Sequence, residues 1–262
     1  MSRSIRSGVG IALALLVAIA PLACSRKQAG RGAPSENPSE HAVENPADVP
    51  RPCPPQPTGP QTAGRDSLLN RFRSELEPWA AMWAAAQPGF GLDSTWRVSR
   101  ERWALVDVRP YEPLPPESED DVTLDILGIR SPDGRYTLDV DSYQSIQPHG
   151  DDLEVGGEPD SQSSLIDERA KREAILGQFG TTGGYHWGAW LTASSFALGS
   201  WREADDYGQW LQARLAIYSI PDSSVSEYET RIVSEADYQR YAAAWHRWLL
   251  ERYRSLKPRR RV

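Results

Sequence analysis

Ser131-Pro132-Asp133-Gly134-Arg135-Tyr136-Thr137-Leu138-Asp139-Val140-Asp141 is the stretch whose reading decides the fold. Pro132 presets one turn dihedral and Gly134 accepts a positive one, so the chain reverses there. Tyr136, Leu138 and Val140 then alternate with Thr137, Asp139 and Asp141, the period of two that gives a strand one apolar face. A hairpin is predicted, with Val122–Ile129 as its other strand. Outward from it, strands are predicted at 96–108, 152–155, 163–167, 174–179, 196–201, 209–220 and 225–231, separated by turn residues. Helical stripes bracket them. Leu69, Phe72, Leu76, Trp79 and Trp83 recur at helical spacing behind a predicted N-cap, Asp66, and Pro78 is placed at the start of a second short helix. Tyr238, Tyr241, Trp245, Trp248, Leu249 and Leu256 form a closing stripe, with Ser234 and Asp237 spaced like a capping box. The expected fold class is α+β, mainly antiparallel β: a twisted meander or partial propeller-like sheet flanked by an N-terminal and a C-terminal amphipathic helix, over residues 66–256.

Ser-Pro-Asp-Gly-Arg-Tyr at 131–136, Trp190-Leu191, Phe196-Ala197-Leu198-Gly199-Ser200 and Leu215-Ala216-Ile217-Tyr218-Ser219-Ile220 resemble the blade meanders of WD40 and TolB-type β-propellers. Their order is similar to that in uncharacterised bacterial lipoproteins with such segments. The resemblance covers roughly 122–229. A closed propeller needs about 4 to 8 four-stranded blades, and this chain has length for about two or three, so a partial propeller is what the resemblance implies.

The N-terminus reads as an export signal. Arg3 and Arg6 precede an uncharged run from Val9 to Ala20, shorter than the roughly 20 apolar residues a permanent span requires. Leu22-Ala23-Cys24 resembles the end of the bacterial lipobox, with Pro21 where leucine is usual. That resemblance implies cleavage after residue 23, lipidation of Cys24 and, with Ser25 next, a place on the outer membrane facing the periplasm. Residues 24–65 are rich in Pro, Ser, Gly, Asn and Glu, a composition that cannot bury enough apolar surface to fold and is read as a disordered tether. Residues 257–262 form a basic tail.

Loss of residues 1–23 removes two arginines and no acid, taking the formal charge from −7 to about −9, which argues against nucleic acid as a partner. Cys53 is the only other cysteine, so no disulfide framework or cysteine metal cluster can be built. GxSxG, HExxH, Walker A and dinucleotide motifs are absent, and no cofactor is expected. Asp139 and Asp141, two apart on one strand face, could meet loop acids to hold calcium, although a solvated polar face explains them as well. His186, between Tyr185 and Trp187, could serve as an acid or base if a carboxylate such as Asp139 came near, or pack as a structural residue. Of ten tryptophans, Trp187, Trp190, Trp201 and Trp210 fall in the predicted meander, where exposed rings could stack on a glycan or anchor a protein. The expectation is a membrane-anchored, non-enzymatic binding module with a protein or glycan partner. An envelope hydrolase or metal-dependent enzyme using His186 and nearby carboxylates, and a structural or assembly lipoprotein, stand as alternatives.

Overall fold

The computed structural model describes residues 53, 54, 56, 66–103, 108–111, 121–205 and 208–256. Cys24, the signal segment 1–23, most of the 24–65 stretch and the 257–262 tail lie outside the described residues.

Asp66 opens the domain as a cap. Its carboxylate accepts from the N–H groups of Leu68 (2.9 Å) and Leu69 (3.3 Å) at the start of α1 (Ser67–Arg71), and also takes the Arg97 guanidinium. The break before α2 (Arg73–Ala86) falls at Phe72, and Pro78 lies inside α2 instead of starting a helix. A proline there costs about 3 kcal/mol. Burial of Leu76, Trp79, Met82 and Trp83 on the same helix, at roughly 1.5–3 kcal/mol for each large apolar side chain, outweighs it.

A second correction concerns Val122–Ile129, predicted as one strand. Thr123–Leu127 is instead a helical turn, α3. The Asp121 carboxylate accepts from the Thr123 N–H (2.8 Å) and hydroxyl (2.6 Å), which starts the turn. A Cβ at Gly128 would lie 2.3 Å from the Leu124 carbonyl oxygen, so only glycine lets the chain leave it so tightly.

The strands are antiparallel throughout. They run β1 (Trp96–Arg102), β2 (Val108–Pro110), β3 (Gly128–Arg130), β4 (Tyr136–Asp139), β5 (Gln144–His149) and β6 (Asp152–Gly157). They continue as β7 (Ser161–Asp167), β8 (Arg172–Phe179), β9 (Gly183–Thr192), β10 (Ser195–Glu203), β11 (Trp210–Ser219) and β12 (Ser224–Ser234). One five-stranded sheet has the order β1-β12-β11-β10-β9, the other β2-β8-β7-β4-β3, and β5-β6 form a separate ribbon. The hairpin predicted at 131–136 is β3-β4, with Gly134 at φ +68°. The fold is α+β and mainly antiparallel β, with β9 to β12 as a consecutive meander and neither sheet closed on itself among the described residues.

Glycines set the spacing between layers. A Cβ at Gly188 would stand 2.7 Å from Val140 and 3.0 Å from Leu138, so β9 packs directly on the second sheet. On the opposite face of the first sheet, a Cβ at Gly199 would stand 2.4 Å from the Trp79 ring of α2. Beside α2 lies α4 (Glu235–Leu256), which buries Tyr241, Trp245 and Leu249 as its sequence stripe predicts, and the Ser234 hydroxyl accepts from the Asp237 N–H (3.2 Å). The order is second sheet, first sheet, helices. No helix among the described residues is long and apolar enough to cross a membrane.

Candidate functional site

His186 sits where β9 carries one residue more than β10. Trp187 pairs with Gly199 and Tyr185 with Ser200, which leaves His186 as the extra residue of a bulge. Such a bulge re-aims side chains, and both the His186 and Trp187 rings meet the helix layer. The imidazole stacks on Trp245 at 4.5 Å and lies 5.7 Å from Tyr241. The Trp201 indole N–H donates to its Nε2 at 3.1 Å. An indole nitrogen only donates, so Nε2 is the acceptor and the neutral ring carries its proton on Nδ1. That Nδ1 is buried with no partner among the described residues, and burial pushes the pKa down to about 3. The contact with Asp139 that the sequence allowed is not made. Leu138 and Val140 face Gly188 of the first sheet, so Asp139, alternating with them, faces the other way.

The tryptophans do not form an exposed row. Trp187 is 2% exposed and belongs to the core. Trp190 bridges the sheets, its indole N–H donating to the Ile129 carbonyl (2.7 Å) and its ring stacked over Tyr136. Trp201 is committed to His186 and packs 5.1 Å from Tyr238. Trp210 lines an open cleft.

Asp139 and Asp141 are buried, which corrects the reading of them as a solvated polar face. Asp141 is built into the chain: it accepts from the Ser161 hydroxyl (2.7 Å) and from the N–H groups of Tyr143 (3.2 Å) and Gln162 (3.4 Å). Ser161 in turn accepts from the Tyr185 N–H (2.9 Å), so this carboxylate ties the second sheet to β9. Burial pushes Asp139 up to about 7 and Asp141 up to about 6. The loop acids do not join them, and no group of three or more His, Cys, Asp or Glu side chains among the described residues could hold a metal ion.

The open cleft measures about 970 Å³ and lies where α2 ends, α4 begins and β12 leaves β1. Its walls include Trp96, Trp210, Arg231, Asp237, Arg240 and Gln56. Arg240 donates to the carbonyls of Ala85 and Ala86 (both 3.2 Å), closing the end of α2, and pairs with Asp237. Arg231 is exposed. β1 pairs with β12 only as far as Glu229, opposite Trp96, so the outer edge of β12 beyond that point faces the cleft. Sequence reading found Trp210 here and missed Arg231, Arg240 and Gln56. Nothing local marks them, because the segments that meet are far apart in the chain.

No protein-family model, curated protein or solved structure matches this chain.

Chemically the cleft offers three things side by side. A strand edge presents backbone N–H and C=O groups, Trp210 offers a half-buried indole face, and Arg231 offers a guanidinium for a carboxylate or carbonyl. These are the elements with which sheet edges hold extended peptides.

Proposed function

We propose that the protein is a lipid-anchored module of the bacterial cell envelope that binds a protein partner, without catalysis, through the cleft at the β12 edge. The observation that carries this reading is the cleft itself, which joins the β12 edge past the end of β1, the Trp210 indole and an exposed arginine. Among the described residues, the other aromatic and acidic groups singled out by the sequence are packed or hydrogen-bonded inside the fold. The glycan-stacking reading loses ground with Trp187 buried and the Trp190 indole bonded to the Ile129 carbonyl. The hydrolase reading loses its two principals, His186 and Asp139, which face different layers. The anchor belongs to the proposal: Cys24 with its lipobox-like context holds one end at the membrane, on the periplasmic side of the outer membrane. The meander β9 to β12 has the strand number of one propeller blade, and its likeness to WD40 and TolB-type blades supports a binding role.

The test is site-specific photocrosslinking in cells producing the full chain. A photoreactive residue replacing Arg231 or Ile232 is expected to give one discrete protein adduct, and the same residue at Arg169, on an exposed loop of the second sheet, none. Adducts of equal yield at all three positions, or none at the cleft, would overturn the reading.

A further inference from the structure

Cys53, Pro54 and Gln56 come from the stretch whose composition reads as tether, yet Gln56 is held by the domain. Its Oε1 accepts from the Ile232 N–H at 3.0 Å, and its Nε2 donates to the Ile232 carbonyl at 3.4 Å and to the Cys53 sulfur at 3.3 Å. A primary amide carries one acceptor and one donor side by side, as a peptide group does. Gln56 therefore gives the β12 edge the pair of hydrogen bonds that a neighbouring antiparallel strand would give it. It does so past Glu229, where β1 has stopped pairing. An exposed strand edge of this kind otherwise invites another chain to add to it.

We propose that Cys53, Pro54 and Gln56 belong to an internal strap that occupies the strand-addition edge of β12, with Gln56 as a stand-in for the backbone of the partner. The strap has two consequences. It ties the tether to the domain from Cys53 onward, so that only residues 24–52 are left to reach the lipid when the strap is seated. An extended partner segment has to displace Gln56, and by linkage partner binding and strap docking weaken each other by the same factor. The second consequence rests on the cleft reading above, whereas the docking of the strap does not.

Cys53 provides the probe. In the full exported chain carrying Cys24→Ser it is the sole thiol, exposed and on the same cleft as Trp210, so a bimane attached there is quenched by indole contact while the strap is seated. Gln56→Ala is expected to raise the bimane emission severalfold and to speed hydrogen exchange of the Ile232 amide tenfold or more. Gln56→Glu, which replaces the donor to the Ile232 carbonyl with an anionic oxygen, is expected to act in the same direction. Arg169→Ala, on the exposed loop of the second sheet, is expected to change neither signal. Unchanged emission and exchange in Gln56→Ala, or an equal effect of Arg169→Ala, would overturn the strap. The two proposals separate in the crosslinking experiment: with the strap correct, Gln56→Ala raises the adduct yield from position 231. Absence of any adduct in either background sinks the partner reading while the fluorescence still judges the strap.

Discussion

Asp139, Asp141 and His186 are shifted by burial in each case, and their effects on stability run in opposite directions with pH. The two carboxyls rise from 3.8 to about 7 and about 6, so the folded chain holds protons that the unfolded chain has released. Their contribution is fully present below about pH 4 and is lost as pH rises to about 7. His186 falls from 6.5 to about 3, so its contribution is present above pH 6.5 and is lost on acidification toward pH 3. Between pH 4 and 6.5 the two trends offset each other. Asp139→Asn removes the larger carboxyl shift and is expected to raise stability at pH 8 by about 2 kcal/mol, with little gain at pH 4. Urea unfolding at the two pH values checks it, and an equal gain at both would mean that ionisation is not the cause. His186→Gln keeps a side-chain acceptor within reach of the Trp201 indole. With the His186 contribution gone and the carboxyl trend left, stability is expected to rise on acidification from pH 6.5 to 4, measured by the same titration.

Elements meet through a few close approaches, and these carry most of the specificity of the fold. The bulge in β9 turns both His186 and Trp187 toward the helices, and Gly199 opposite the bulge leaves room for Trp79. Gly199→Ala places a Cβ 2.4 Å from that ring and is expected to destabilise by roughly 1–3 kcal/mol. Combining it with Trp79→Leu should cost less than the sum of the two single changes, which a double-mutant cycle measures. Strict additivity would place the strain elsewhere. On the face of the first sheet away from the helices, β10, β11 and β12 are also tied to one another. Arg202 donates to Gln212 (3.1 Å) and Glu229 (2.9 Å), and Arg214 reaches Glu227 (3.4 Å). Long polar side chains there act as cross-strand braces.

At the scale of the whole molecule, the proposed anchor and cleft form one device: a lipid at one end, a binding edge at the other, and a strap between them. The anchor has a direct test. Cys24→Ala is expected to move the protein from the membrane to the soluble fraction and to end incorporation of labelled fatty acid, with the domain still folded by circular dichroism. A Cys24→Ala chain that stays in the membrane fraction sinks the lipoprotein reading.

The amino-acid sequence by itself determined what depends on neighbours along the chain. The 131–136 reversal, the alternation in β4, the α4 stripe and the antiparallel β class could all be read from it. Each rests on periodicity or on a local dihedral preference. It misread Val122–Ile129, where an Asp121 hydrogen bond and a cramped glycine override an apolar run. It also gave no strand at Gly183–Thr192, where β9 lies, because a bulged, glycine-rich strand has no clean period. Only the tertiary structure decided which face each tryptophan of the meander takes, that Asp139 and His186 lie in different layers, and that Gln56 meets Ile232. Contacts between residues 176 positions apart leave no periodic trace in a single chain. They arise when sheets and helices have stacked and one strand edge is left without a neighbour.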